Sequence, residues 1–264
     1  MSNFSDFISG GGSASYTTIF LHNSQTWVPP QDGNIMIHVI GAGGSGSASG
    51  TDSQLESGAA GGYCRKNSLA VTTSGSFTVT IGAGGASRFG SYGAGTAGGT
   101  TSIAGTGLGS TLTANGGAGG ALGSNTYTAG GTATGGDVNY TGGRGGHDLG
   151  GGAIGLTGTG NDGGKVSNAF NTLGGDCDIL GDFYSSSLGQ LSGSGGGIGQ
   201  YVYTMGNDGH EQAGPLAGGG SVYGAASTTM AGHASIGGGG GWSRGTTLNS
   251  GRGGEGCVVI QYIP

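Results

Sequence analysis

Glycine runs through this chain in short, repeatedly interrupted tracts, among them Gly41-Ala42-Gly43-Gly44, Gly116-Gly117-Ala118-Gly119-Gly120-Ala121, Gly142-Gly143-Arg144-Gly145-Gly146 and Gly237 to Gly241. With 72 glycines among 264 residues, much of the backbone has no side chain to place in a hydrophobic core. Order must come from backbone groups bonding to one another, against an entropy cost of about 1–2 kcal/mol per residue that is largest for glycine. Collagen is excluded, because glycine does not hold every third position and there are only 4 prolines. A local period of three is present all the same. It is the repeat of the polyproline II helix, whose outward N–H and C=O groups can bond a neighbouring segment wherever glycine lets two backbones approach. The rival is a flexible glycine coil. Short tracts and a strand-forming sequence after the last of them favour the packed bundle.

Three segments read as strands: Ile35–Ile40, Ser76–Ile81 and Cys257–Ile263, each rich in β-branched or aromatic residues and bounded by glycine. In the second, Phe77, Val79 and Ile81 fall on one face and Ser76, Thr78 and Thr80 on the other. Tyr16–Leu21 is a weaker fourth, separated from the next strand by Pro29-Pro30 and Asp32-Gly33. Helical periodicity is nearly absent. The fold expected is mainly β: a short β-sandwich-like framework plus a packed polyproline II bundle, with almost no α-helix. Residues 1–15 read as an N-terminal docking peptide and 16–264 as one glycine-rich domain.

Charge narrows the function. The net charge is −6 and the basic residues are scattered singly, so no cluster neutralises phosphates and nucleic-acid binding is not expected. No signal peptide or membrane span is visible. Cys64, Cys177 and Cys257 are far apart and odd in number, which argues for reduced, buried thiols rather than a zinc site or disulfide framework.

Several motifs fall short of their chemistry. Gly41-Ala42-Gly43-Gly44-Ser45-Gly46 follows a strand as a dinucleotide loop would, but no helix begins after it to receive a pyrophosphate. Gly163-Gly164-Lys165-Val166 lacks the first glycine and the hydroxyl of a phosphate-binding loop. Asp176 and Asp178 suggest a calcium loop, yet Leu180 and Ser187 occupy positions that need oxygen and acid. His22, His38, His147, His210 and His233 show no ligand spacing. Neither an enzyme nor a cofactor is expected.

The ordered landmarks carry a resemblance. Ser24-Gln25-Thr26-Trp27-Val28-Pro29 leads into a strand and Gly41-Ala42-Gly43-Gly44; Gly61-Gly62-Tyr63 and Phe77–Ile81 lead to Gly82-Ala83-Gly84-Gly85; and Gly251-Arg252-Gly253-Gly254 precedes Cys257–Tyr262. This set resembles the glycine-rich domain at the tips of phage and prophage tail fibres. More loosely, it is similar to distal tail-fibre adhesins with polyproline II bundles, although their N-terminal attachment part has no counterpart here. The resemblance implies a virion protein at a tail tip or fibre, without membrane insertion. Its partners would be a bacterial surface glycan or outer-membrane protein, and other tail or virion subunits. A homotrimer is one assembly consistent with so small a core.

If glycine tracts are the scaffold, the interruptions are the loops, and binding residues concentrate on loops held by rigid frameworks. Aromatic residues beside Asn, Asp and Ser suit a contact surface. On that ground the receptor-binding residues expected are Tyr127, Tyr140, Tyr184, Tyr201, Tyr203, His210 and Trp242. Phe170 and Phe183 read as structural. The alternative function is a purely structural virion component.

Overall fold

The computed structural model describes residues 17–50, 55–90, 92–123, 127–146, 151–152, 154–155, 158–160, 162, 164–165, 171–173, 198–200, 222–223, 234, 236–244 and 249–263. Among the described residues there is no helix, and two five-stranded antiparallel sheets form the base of the molecule. The first runs β1 (Thr18–Leu21), β16 (Cys257–Ile263), β3 (Gly33–Ile40), β5 (Tyr63–Val71), β10 (Val138–Tyr140). The second runs β2 (Gln25–Trp27), β6 (Phe77–Thr80), β7 (Thr101–Gly105), β8 (Leu112–Ala114), β9 (Ala133–Thr134). Smaller pairings join β4 (Ala48–Ser49), β15 (Ser243–Arg244) and β14 (Val222–Tyr223) in parallel, and β11 (Gly164–Lys165), β12 (Asn171–Leu173) and β13 (Ile198–Gln200) antiparallel.

Strand alternation builds the core. Ile35, Ile37, Val39, Val258 and Ile260 of the first sheet meet Trp27, Phe77, Val79, Ile103 and Leu112 of the second, all buried. Trp27 lies 5.4 Å from Phe77, ring to ring. The opposite face of the first sheet carries a second cluster, with Ile40, Tyr63, Cys257, Val259 and Ile154. On it, buried His38 bonds the Tyr63 hydroxyl through Nδ1 at 2.7 Å and the Gln261 side chain through Nε2 at 3.1 Å. Cys64 belongs to the inner cluster and Cys257 to the outer one, and both are free thiols. Burial pushes each thiol up to about 12.

Beyond the sheets, the strands continue into glycine runs that bond sideways. All eight N–H groups of the 41–48 run donate to other runs, and the target changes with a period of three. Residues 41, 44 and 47 donate to Gly62, Ala59 and Glu56; 42, 45 and 48 to Gly99, Thr96 and Gly93; 43 and 46 to Gly254 and Gly251. In each set the partner number falls by three, so these neighbours are antiparallel. The carbonyls of the same run accept from Gly117 and Gly120, from Gly85, and from Gly240 and Ser243. The 41–48 run therefore has six bonded neighbours. The 55–62 run is surrounded in the same way: it donates to the 115–121, 142–146 and 237–240 runs, and accepts from Gly131, Gly152 and the 41–48 run. The sideways bonding thus repeats every three residues.

This packing explains the glycine. A Cβ on Gly43 would overlap the Gly238 carbonyl, and one on Gly58 the Gly44 carbonyl. Most side chains inside the lattice are small and often bonded, as with Ser45, whose Oγ accepts from the Thr96 amide at 2.8 Å; Leu55, Glu56 and Trp242 are the larger ones. The strand–run continuities (β3 into 41, 62 into β5, β6 into 82, 99 into β7, β8 into 115, β10 into 142, 256 into β16) stack the lattice on one end of the sandwich. Thr17 and Ile263, by contrast, lie at the far end of the sheets, where the Tyr262 amide donates to the Thr17 carbonyl.

The expected strands are present within a residue or two, and so is the alternation of β6. The longest strand, β5, was not anticipated. Its polar run Arg65-Lys66-Asn67-Ser68 spans a bulge, where pairing with β3 skips a residue between Ile35 and Ile37. The Asp137 carboxylate holds this bulge, accepting from the Asn67 amide and the Lys66 ammonium, each at 2.8 Å.

Candidate functional site

Because the strands sit at one end of each run, the connections between antiparallel runs gather at the other. The described residues at that end are Ser49 and Gly50 after the 41–48 run, 86–90 and Tyr92 between the 82–85 and 93–99 runs, and Leu122, Gly123 and Tyr127 between the 115–121 and 128–132 runs. Bridges stitch this end together: Ala48 with Gly93, Leu55 with Leu122, Phe89 with Asn249, and Thr128 with Gly145. Of the five large hydrophobic residues that are exposed among the described residues, three are here: Phe89 at 77%, Tyr92 at 62% and Tyr127 at 50%. Phe20 and Val28 are on the base.

The 86–92 connection is held at many points. The Arg88 amide donates to Ser250 Oγ at 2.9 Å, and the Ser250 amide returns a bond to the Arg88 carbonyl at 3.0 Å. Arg88 Nε donates to the Ala94 carbonyl at 2.7 Å. Gly90 has φ +60°, a left-handed conformation open to glycine without strain, and it turns the chain just after Phe89. The Tyr92 ring lies directly over Gly50, where a Cβ would strike it. The rings are thus presented by a fixed backbone, which lowers the entropy lost on binding.

Tyr127 is supported differently. The Arg144 guanidinium sits over its ring at 4.3 Å, a cation–π contact. Asp162 grips that guanidinium through Nε at 3.0 Å and Nη2 at 2.7 Å, and this pairing raises the arginine pKa. Beneath, the carboxylate of fully buried Glu56 accepts from the Thr128 hydroxyl at 2.9 Å and the Ala121 amide at 3.4 Å.

The other expected contact residues fare unequally. Trp242 is close to this end, but only 5% exposed, and its amide donates to Ser57 Oγ at 3.2 Å; it packs within the lattice rather than on its surface. Tyr140 is half-buried on β10, stacked on Tyr63 at 6.2 Å, where sheet meets lattice. Tyr184, Tyr201, Tyr203 and His210 lie outside the described residues, as do Phe170, Phe183, Asp176, Asp178 and Cys177. Sequence reading missed Arg88, Phe89 and Tyr92. Their signal was an aromatic pair interrupting the glycines between Gly85 and Gly93, too short to stand out beside the longer interruptions downstream.

The strand-following Gly41–Gly46 motif is the centre of the lattice. Its amides are all engaged by protein and no helix follows it among the described residues, so the free N–H groups and helix N-terminus of a pyrophosphate site are not found there. Among the described residues no group of three or more His, Cys, Asp or Glu side chains is placed to hold a metal ion, and no helix is long and apolar enough to cross a membrane. The sequence model of a family described as a glycine-rich domain matches residues 17–263. No curated protein matches the chain.

Proposed function

The chain belongs to the glycine-rich domain family, and from that premise we propose that it is a receptor-binding protein at a phage tail tip or fibre. One observation carries the reading. Three exposed rings stand on connections at one end of the lattice, while Thr17 and Ile263 lie together at the opposite end of the molecule. A domain attached to its fibre through the base presents those rings outward. Residues at a free tip normally avoid exposed aromatics, and such groups mark interaction sites. The lattice supplies the rigidity and the connections supply the contact surface, without cofactor or catalytic machinery. Tyr127 remains in the contact set; Phe89 and Tyr92 join it, and Trp242 acts from beneath. The receptor is a bacterial surface glycan or outer-membrane protein. Other virion subunits, in a trimeric fibre or below a single cap, hold the base.

The test is binding of the fluorescently labelled full chain to a panel of candidate host bacteria, beside a triple variant F89S/Y92S/Y127S whose fold is verified by circular dichroism. Saturable binding to one host, reduced at least tenfold in the variant, is expected. Binding that the variant retains would move the contact surface away from these connections. No binding to any host, alone or on its fibre, would favour a structural virion component instead.

A further inference from the structure

The unpaired charge at the lattice tip points to the chemistry of the ligand. Lys66, Arg144 and Arg252 each hold a carboxylate: Asp137, Asp162 and Glu255. Arg88 does not. Its Nε is committed to the Ala94 carbonyl at 2.7 Å, and its backbone is bonded both ways to Ser250. The guanidinium is therefore fixed in orientation, while its two Nη groups have no acidic partner among the described residues. In a chain of net charge −6, a cation held apart from every described carboxylate is available to an anion from outside.

What flanks that cation narrows the anion further. Phe89 follows it directly and is 77% exposed, and Tyr92 is 62% exposed on the same connection. Their near neighbours in the chain, Ser87, Gly90 and Gly93, the backbone partners Asn249 and Ser250, and Gly50 beneath the Tyr92 ring are small or polar. A protein partner draws its affinity from a contiguous apolar centre sealed from water, and two exposed rings with small or polar neighbours do not supply one. A sugar needs different things: a flat π face for its C–H groups and hydrogen-bonding atoms for its hydroxyls.

We propose that this connection binds a carboxylate-bearing sugar of a surface glycan, with the Arg88 Nη pair taking the carboxylate and Phe89 and Tyr92 taking the ring. The planar fork of arginine matches a carboxylate with two parallel bonds. The proposal rests on the tip being the receptor-binding surface, and it names the substrate class for that surface.

The experiment prints a panel of oligosaccharides ending in uronic or ulosonic acids beside their carboxyl-reduced counterparts, and measures binding of the full chain. Wild type, R88Q, R88K and F89A are compared, each with an unchanged circular dichroism spectrum and melting midpoint. At least one acidic member should bind, with affinity falling tenfold or more on carboxyl reduction, in R88Q and in F89A. R88K should recover only part of the loss, because a point charge lacks the fork. Absence of binding to every acidic member, equal binding to reduced forms, or full binding by R88Q would overturn the proposal. Host cells are assayed in parallel. Cells bound equally by wild type and R88Q would sink the acidic-sugar assignment while leaving the tip as the receptor surface; failure to bind cells at all would sink the tip reading itself.

Discussion

The Thr128 hydroxyl donates to the buried Glu56 carboxylate at 2.9 Å, across a lattice that otherwise contains almost nothing but backbone and small side chains. The same oxygen receives the Ala121 amide. One carboxylate thus closes both ends of the connection that carries Tyr127. Glu56→Ala leaves those two donors without their acceptor, and each unsatisfied buried group costs about 1–3 kcal/mol. Guanidinium denaturation should register that loss, and Glu56→Gln, which keeps an acceptor oxygen, should lose less. Hydrogen exchange at the Ala121 amide should accelerate in the alanine variant; an unchanged rate would show that the bond holds nothing in place.

Glycine positions divide sharply by what surrounds them. Gly43→Ala drives a methyl group into the Gly238 carbonyl, between two backbones that have no slack. It should destabilise by about 3 kcal/mol or more, at or beyond the upper end of overpacking costs, or prevent folding. Gly109→Ala meets nothing within 4 Å and should be neutral or stabilising by about 0.4–1 kcal/mol, through the unfolded chain. Equal melting midpoints for the two variants would refute the lattice as the source of order.

The two tryptophans report on the two halves of the architecture. Trp27 is buried in the sandwich against Phe77, and Trp242 is buried in the lattice. Fluorescence of Trp27→Phe follows the lattice, and that of Trp242→Phe follows the sheets. Because strands run straight into glycine runs without a linker, both variants should unfold in one transition that coincides with circular dichroism. Separate transitions within either variant would mean that the sheets stand without the lattice.

Asp137 is the group whose titration should be felt at the base. The hydrogen bond from Lys66, with the Asn67 amide, lowers its pKa below the ordinary 3.8. A depressed carboxylate adds stability above its unfolded value and loses it as pH falls through the folded value. The advantage of wild type over Asp137→Asn should therefore be constant near neutrality and fade below about pH 4. The pair is largely exposed, so the effect belongs in the range of about 0–1 kcal/mol. A gap that widens on acidification would contradict this assignment.

Burial predicts the behaviour of the thiols. With Cys64 and Cys257 each pushed up to about 12, the thiolate needed for alkylation is scarce at pH 8 in the folded protein. Peptide mapping after iodoacetamide treatment should find both unmodified until denaturant is added. They lie on opposite faces of the first sheet, so no Cys64–Cys257 disulfide should form on mild oxidation of the native protein. Strand β3 also lies between β16 and β5, so its appearance would require a different strand order in the first sheet.

Legibility in the sequence followed the source of each element's stability. Strands β3, β6 and β16 are held by alternating apolar side chains, so their residues announce them. Strand β5 is held by pairing on both edges and by Asp137 at its bulge, and neither leaves a local pattern. The threefold repeat was visible as a tendency, but which run bonds which could not be read, since backbone amides are chemically alike in every glycine. At the tip, Tyr127 was legible as an aromatic residue in an interruption. Trp242 looked the same in the sequence and lies inside, because its exposure is decided by the long-range packing of the 237–243 run against the 41–48 run. Arg88 gave no local sign of its isolation, which depends on where every carboxylate falls.

Two runs ringed on all sides by other backbones also shape how such a gene can change. Glycine codons share their first two bases, so third-position changes are silent, while a first- or second-position change within the 41–48 or 55–62 run introduces a side chain or a stop. Where that side chain strikes a carbonyl, as at Gly43 or Gly58, the product is lost. Heritable variation is thereby channelled into the connections, and lineages of this domain should differ at their tips long before they differ in their interiors.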